Sequence, residues 1–158
     1  LKADLQFVIL GSGEWEFETF FHGMAEAHRD KVGLKLGFNP QLAHKIYAGA
    51  DMFLMPSKSE PCGLSQMVAL RYGSIPVVRE TGGLKDSITD SGDGKGNGFT
   101  FQTYDTQDML NSVHRAIYAY NESKDGWKVL VERAMACDNS WGRSANDYIR
   151  LYKQLINS

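Results

Sequence analysis

The sequence predicts an α/β fold with an open parallel sheet and helices on both faces. Short apolar runs of strand length recur along the chain, and segments with apolar residues at helical spacing lie between most of them. Alternating strands and helices are joined by crossover connections, so neighbouring strands run parallel and the helices cover the sheet. Strands in such a sheet are buried on both faces, which explains why the runs lack a polar side.

Composition and charge are those of an ordinary globular domain. The 158 residues, 42% of them hydrophobic, suffice for one sizeable core and are few for two, so we expect one domain over 1–158. The net charge of −2 comes from intermixed acidic and basic residues, which argues against nucleic-acid or membrane partners. No apolar stretch approaches the roughly 20 residues that cross a bilayer, so we expect a soluble protein.

Cysteine and histidine usage favours a reducing compartment without a metal site. Cys62 and Cys137 form neither a disulfide framework nor a metal-binding pair, and His22, His28 and His114 lack partners at ligand spacing. We expect a cytoplasmic protein with no metal and no cofactor. Because the chain begins without Met and enters a strand at once, we also expect an upstream segment.

The first part of the chain predicts three strands and two helices. In order, these are a strand over 5–10, a helix over 14–28, a strand over 32–36, a helix from 40 and a strand over 52–55. Ser12 is the expected cap of the first helix and Asn39 that of the second, because Pro40 suits a first helical turn. The stripe that we expect to be buried on the first helix comprises Phe17, Phe20, Phe21, Met24 and His28.

The second part predicts a helix, a strand, a short apolar segment and three further helices. The first helix spans 64–72 and ends at Gly73, where a left-handed residue is favoured. A strand over 75–78 follows, and then the apolar segment 99–101. The last three helices carry apolar stripes centred on Val113, Leu130 and Tyr152. We expect Trp127 and Trp141 to anchor these helices in the core.

The loops at the carboxyl ends of the strands are the expected ligand site. They span 11–13, 37–39, 56–63 and 79–83. The turn Gly11-Ser12-Gly13 has the form of a dinucleotide-binding turn, but Glu16 stands where that fingerprint has its last glycine. A redox dinucleotide-binding domain is therefore kept as an alternative.

The loop from Pro56 to Gln66 carries more specific chemistry. It joins a buried strand to a buried helix and places the carboxylate of Glu60 beside Pro61. Main-chain amides around Gly63 would point out of the helix N-terminus, where partial positive charge and free donors suit phosphate or sugar oxygens. A structural interpretation also stands at this point, in which Glu60 favours a helix N-terminus and Gly63 relieves a turn.

The segment PSKSEPCGLSQMVALRYGSIPVVRETGGLKDSI, residues 56–88, resembles the donor-site signature of bacterial glycogen synthases and plant starch synthases. These are retaining glycosyltransferases of the two-Rossmann-domain (GT-B) type. Similarity extends upstream through Gly37-Phe38 and 44–51, and downstream to Ser140-Trp141. The resemblance implies a Rossmann-like C-terminal domain that binds ADP-glucose, and transfer of glucose to the non-reducing end of an α-1,4-glucan with retention.

The resemblance also implies roles for individual residues. Glu60 matches the essential carboxylate near the transferred glucose, and Phe38 matches an aromatic that stacks on adenine with Gly37 beside it. The other matching positions, which meet the glucose, the diphosphate or the same crevice, are Cys62, Gly63, Leu64, Ser65, Thr81, Gly82 and Gly83. Val68 stands where related transferases often carry a second Glu, so ribose contacts must come from elsewhere.

Half of the active-site cleft is implied to lie outside this chain. In the family, the Arg and Lys that neutralise the donor diphosphate precede the region of similarity, and an N-terminal domain of the same enzyme completes the cleft. The resemblance implies that the last helix, about 144–157, crosses to that domain, so its apolar face would be partly exposed here. We expect the isolated chain to be inactive. A nucleotide- or glucan-binding module without turnover is the remaining alternative.

Overall fold

The computed structural model of the chain describes residues 4–157, which form two compact units, one ending at Gly49 and one beginning at Ala50. The first unit contains β1 (Phe7–Gly11), α1 (Trp15–Ala27), β2 (Val32–Leu36) and α2 (Pro40–Gly49). The second contains β3 (Met52–Met55), α3 (Ser65–Tyr72), β4 (Ile75–Arg79), α4 (Gly83–Ser87), a short 3-10 helix (Ser91–Asp93), β5 (Phe99–Phe101), α5 (Thr106–Glu122), α6 (Lys124–Met135) and α7 (Trp141–Ile156).

All strand pairs are parallel, as predicted. In the first unit β1 pairs with β2, and Phe7 lies opposite Val32. In the second unit β4 lies between β3 and β5, so Val77 has Leu54 on one side and Phe99 on the other. The predicted α/β class is confirmed. The described strands form a two-stranded sheet in the first unit and a three-stranded sheet in the second.

The second unit contains the main hydrophobic core, with β4 at its centre. Ile75, Val77 and Val78 are buried, and burial of each such aliphatic side chain contributes about 1.5–3 kcal/mol. On α6, Trp127 is buried as predicted, and its ring meets that of Tyr120 edge-on with 5.2 Å between centroids. The core therefore supports the strand from which the loop 80–82 departs.

The first unit is less tightly packed. Val32 is the one buried hydrophobic residue that the structure describes there. On α1, Phe21 and Met24 are half-buried, but Phe17 and Phe20 are exposed, so the predicted stripe is wrong at these two positions. Helical spacing identified an apolar face, but burial also requires an element to cover that face.

The two helices of the first unit begin in different ways. Ser12 does not cap α1, because the helix starts only at Trp15 and its N-cap position falls at Glu14. The carboxylate of Glu18 instead accepts a hydrogen bond from a main-chain N–H of the preceding turn at 2.9 Å. Asn39 caps α2 as predicted, because its Oδ1 accepts a hydrogen bond from the N–H of Leu42 in the first turn at 2.9 Å.

The last helix, α7, presents its apolar side chains to solvent. Tyr148, Tyr152 and Ile156 are all exposed, which confirms the expected exposure of this face. Trp141 is 90% exposed, so the prediction that it anchors the helix in the core is wrong. Within residues 4–157 no helix combines the length and apolarity needed to cross a membrane.

Candidate functional site at the strand ends

Two loops of the second unit interlock at the carboxyl ends of β3 and β4. These strands are parallel neighbours, so the loops that follow them start side by side. The N–H of Gly83 donates to the carbonyl oxygen of Glu60 at 3.1 Å. A Cβ built on Gly82 would overlap that same oxygen, and one built on Gly83 would overlap the carbonyl oxygen of Cys62. Glycine is required at both positions because the two backbones touch.

This interlock brings together most of the predicted site residues. Those that lie on the two loops are Glu60, Cys62, Gly63, Leu64, Thr81 and Gly82, and directly after the loops Ser65 begins α3 and Gly83 begins α4. Residues 56–64 and 80–82 are far apart in sequence, so their meeting depends on the parallel pairing of the strands before them.

Glu60 is half-buried in this loop pair, and its carboxylate is unengaged. Its main-chain carbonyl holds Gly83, but its side chain makes no hydrogen bond or ion pair with any residue in 4–157. The fold thus fixes the backbone of Glu60 and leaves its negative charge available to a ligand. Beside it, the thiol of Cys62 is free and exposed.

The start of α3 offers free main-chain donors. Leu64 occupies the N-cap position without a side-chain cap, and it is 68% exposed. The N–H groups of Gly63 and Leu64 find no acceptor in the described part of the chain. Unpaired amides at a helix N-terminus attract anions through their partial positive charge.

Two polar residues behind these amides were missed in the sequence. Gln66 is fully buried, and its Nε2 approaches the carbonyl oxygens of Gly63 and Cys62 at 2.7 and 3.3 Å and the hydroxyl of Ser87 at 3.1 Å. The Ser87 hydroxyl in turn donates to the carbonyl of Gly83 at 2.6 Å. One sequence signal was present, namely a Gln in the first turn of a helix predicted to be largely buried.

Arg79 braces the loop after β3 from the end of β4. Its Nη1 donates to the carbonyl of Lys58 at 2.8 Å and its Nε to that of Gln102 at 3.2 Å. Its guanidinium also lies 5.7 Å from the ring centre of Tyr104. These contacts give Arg79 a structural task within the protein, linking the loop 56–64 to the segment after β5.

The hydroxyl of Thr100 links the loop after β4 to an ion pair between Asp90 and Arg115. Arg115 donates to both carboxylate oxygens of Asp90, each at 2.8 Å. Burial alone would raise the Asp90 pKa, but hydrogen bonds from Arg115, Thr100 and Gly92, with the Arg115 charge, outweigh it and lower the pKa to about 2. The Thr100 hydroxyl also donates to Glu80 at 2.6 Å, directly before the loop residue Thr81.

The remaining predicted residues, Gly37 and Phe38, belong to the first unit. They follow β2, where the N–H of Gly37 donates to the carbonyl of Gly11 at 2.9 Å. Phe38 is 93% exposed, so its ring has a free face for stacking. In neither unit do the described residues include a group of three His, Cys, Asp or Glu that would hold a metal ion.

The chain matches a known protein family over most of its length. The family model for glycosyl transferases group 1 matches residues 1–126, most of the chain. The chain belongs to this family. As a member of glycosyl transferases group 1, it is not expected to be the redox dinucleotide-binding domain that its first glycine turn allowed.

The relatives of this group 1 chain are longer proteins. It is 54% identical over 158 residues to the glycogen synthase of Geobacillus thermodenitrificans and 52% identical to that of Bacillus cereus strain ATCC 10987. The match covers 99% of this chain in both comparisons, and 32% and 33% of those proteins. The chain therefore spans about a third of the length of these relatives.

Solved structures confirm the GT-B fold of the group 1 chain. The catalytic domain of starch synthase IV from Arabidopsis thaliana, bound to ADP and acarbose, matches with a TM-score of 0.85 at 43% identity. That match covers 97% of this chain and 33% of the other. Sucrose-phosphate synthase from Thermosynechococcus elongatus matches over 96% of this chain and 39% of its own, with a TM-score of 0.65 at 21% identity, a likeness of fold alone.

Proposed function

We propose that this chain is the donor-binding part of a glycogen or starch synthase. The enzyme would transfer glucose from ADP-glucose to the non-reducing end of an α-1,4-glucan with retention. The observation that carries the proposal is the interlocked loop pair, which places the unengaged carboxylate of Glu60 on the same loop as the free amides of Gly63 and Leu64. The 54% identity between this chain and a glycogen synthase supports the proposal.

The chemistry of glucosyl transfer suits this pairing of charges. Cleavage of the bond to the nucleoside diphosphate develops positive charge on the sugar and negative charge on the leaving phosphate. In our proposal, Glu60 stabilises the positive charge on the sugar, and the amides of Gly63 and Leu64 stabilise the negative charge on the leaving phosphate. These groups are in place before the reaction, so the protein need not reorganise as the charges develop. The backbone of Glu60 is held by Gly83, so the point from which its carboxylate reaches the donor is fixed.

The other predicted residues bind and orient the donor in this proposal. Phe38 stacks on the adenine ring, with Gly37 beside it. Five more residues line the glucose and diphosphate subsites, namely Cys62, Ser65, Thr81, Gly82 and Gly83. The donor itself is the substrate, and we propose that the reaction needs no cofactor.

The N-terminal part of the same enzyme is the proposed partner of this chain. The chain spans about a third of the length of its relatives, 32% in one case. A cleft between two domains excludes water and brings the glucan hydroxyl to the sugar. We propose that the exposed apolar face of α7, which includes Tyr148 and Tyr152, packs against that part.

Glucosyl transfer tests the proposal directly. Radiolabelled ADP-glucose and a glucan primer are added to the full-length enzyme and, in parallel, to the 158-residue chain. We expect label in glucan with the full-length enzyme and none with the chain alone. Donor binding without transfer by the full-length enzyme would instead indicate a binding module. Label incorporated by the chain alone would show a complete active site in these residues.

A further inference from the structure

We infer that Gln66 is a positioning residue that aims the amides of Gly63 and Leu64 at the donor. The inference rests on the proposed function and adds to it a residue that touches no substrate. Its basis is the group of three acceptors, on Gly63, Cys62 and Ser87, that share the two N–H groups of the buried Gln66 amide, which we call the Gln66 clamp.

Peptide geometry connects the clamp to the free amides. All peptide bonds in the described residues are trans, and in a planar trans peptide the C=O and N–H groups point in opposite directions. The clamp holds the carbonyls of Cys62 and Gly63 on the buried side. The N–H groups of the same two peptide units, which belong to Gly63 and Leu64, must therefore point away from the core.

The conformation of Gly63 is matched to the clamp. Its φ of 70° lies in the left-handed region, which favours glycine. A Cβ at this position would lie 2.5 Å from Oε1 of Gln66, so the side chain and the glycine backbone are in close contact. Without the clamp, the two peptide units would be free to rotate, and the amides would lose their common direction.

The clamp also joins the two interlocked loops. The hydroxyl of Ser87 on α4 accepts a hydrogen bond from Gln66 and donates one to the carbonyl of Gly83, the glycine that touches Cys62. Gln66 is thus bonded directly to one loop and through one hydroxyl to the other. The Oε1 of Gln66 is buried and has no hydrogen-bond partner among the described residues. The hydrogen bonds that its Nε2 donates therefore explain why this polar side chain lies in the core.

The test compares Gln66→Met with Gln66→Glu in the full-length enzyme. Methionine keeps the volume but cannot donate, so kcat should fall about 100-fold, the effect of misplaced donors, while KM for the glucan changes little. Gln107→Met, an exposed change on α5, is the matched control and should keep wild-type kcat. Wild-type kcat in Gln66→Met would overturn the inference.

The pH profile separates positioning from packing. A glutamate buried at this position has a raised pKa because burial disfavours its charge, and only its protonated form donates. The ratio of kcat in Gln66→Glu to wild type should rise as pH falls from about 8 to about 6, whereas the ratio for Gln66→Met should stay flat. Equal, flat ratios for both variants would overturn the inference.

Crystal structures of the full-length variants decide the point independently of activity. We expect the peptide units 62–63 and 63–64 to rotate in Gln66→Met and to remain in place in Gln107→Met. Unchanged peptide units in Gln66→Met would overturn the role of Gln66 even if the enzyme is a glucosyltransferase. A wild-type enzyme that transfers no glucose would instead remove the proposed function, and the structures would still test the clamp.

Discussion

Two valines in apolar parallel strands show how the two units differ. Val77 in β4 is 2% exposed, whereas Val8 in β1 is 55% exposed. β4 has a strand on each side and contacts α3, α5 and α6, whereas β1 pairs with β2. Burial depends on how many elements surround a strand, and the strand's own composition does not set it.

The same difference separates the proposed tasks of the two units. The second unit places Glu60 and the helix-end amides on loops that its core and hydrogen bonds hold in position. The first unit presents Phe38, whose ring is exposed at the end of a two-stranded sheet. Charge stabilisation needs groups fixed in advance, while stacking on a base needs an exposed aromatic face.

The largest expected effect contrasts the packing of the two units. Leu70→Ala removes a fully buried side chain of the second unit and should cost about 2–5 kcal/mol of unfolding free energy. Phe20→Ala in the first unit removes an exposed ring and should change the free energy of unfolding by about 0.5 kcal/mol or less. Urea unfolding of the 158-residue chain measures both. Equal losses would show that the first unit is packed as tightly as the second.

Glu60→Gln tests the chemistry of the second unit. The amide is nearly isosteric but uncharged, so the full-length enzyme should keep its fold and lose about 100-fold or more in kcat. Glu132→Gln, an exposed change on α6, serves as the matched control. Full activity in Glu60→Gln, measured by glucosyl transfer, would remove Glu60 from catalysis.

Phe38→Ala tests the first unit's share of donor binding. Loss of a stacking face should weaken ADP-glucose binding by about 1–3 kcal/mol in calorimetry on the full-length enzyme. Phe38→Trp keeps an aromatic face and should retain the affinity. An unchanged affinity in Phe38→Ala would remove this residue from the site and leave donor binding to the second unit.

The smallest expected effect is acid sensitivity, which we assign to the second unit. Three of its carboxylates, Asp90, Asp108 and Asp138, have lowered pKa values. At Asp90 the cause is Arg115 together with main-chain N–H donors. Hydrogen bonds from Thr103 lower the pKa of Asp108, and hydrogen bonds from Ser140 lower that of Asp138. The Asp90 pKa is about 2, below its ordinary 3.8, so the unfolded state binds more protons between these values. Stability from this group is present above about pH 4 and lost as pH falls to about 2.

Asp90→Asn should remove this part of the pH dependence. In urea unfolding at pH 4 and pH 2, the wild-type chain should lose about 1 kcal/mol more than the variant, after allowance for solvent exposure. Asp93→Asn, in the same loop, is the control and should behave like the wild type. The same acid sensitivity in Asp90→Asn and the wild type would contradict the assignment.

Local and periodic signals were enough for most of the elements and for the candidate loop, but they did not predict α4 or the short 3-10 helix. Asn39 before a proline marked the start of α2, and Gly73 marked the end of α3, because caps and glycines act within a few residues. The apolar runs likewise placed four of the five described strands to within two residues at each end, and the fifth, β5, coincides with the short apolar segment 99–101. The resemblance then singled out Glu60 and its neighbours, whose binding roles remain predictions.

Contacts between distant residues decided the rest. Phe17 and Trp141 are exposed although we predicted burial for both, because a sequence signal does not state whether another element covers a face. Likewise, the contact of Gly82 with Glu60 and the bond from Gln66 to Ser87 join residues about twenty positions apart. Such pairs exist only once parallel strands have set their loops side by side, and that step depends on the packing of the whole unit.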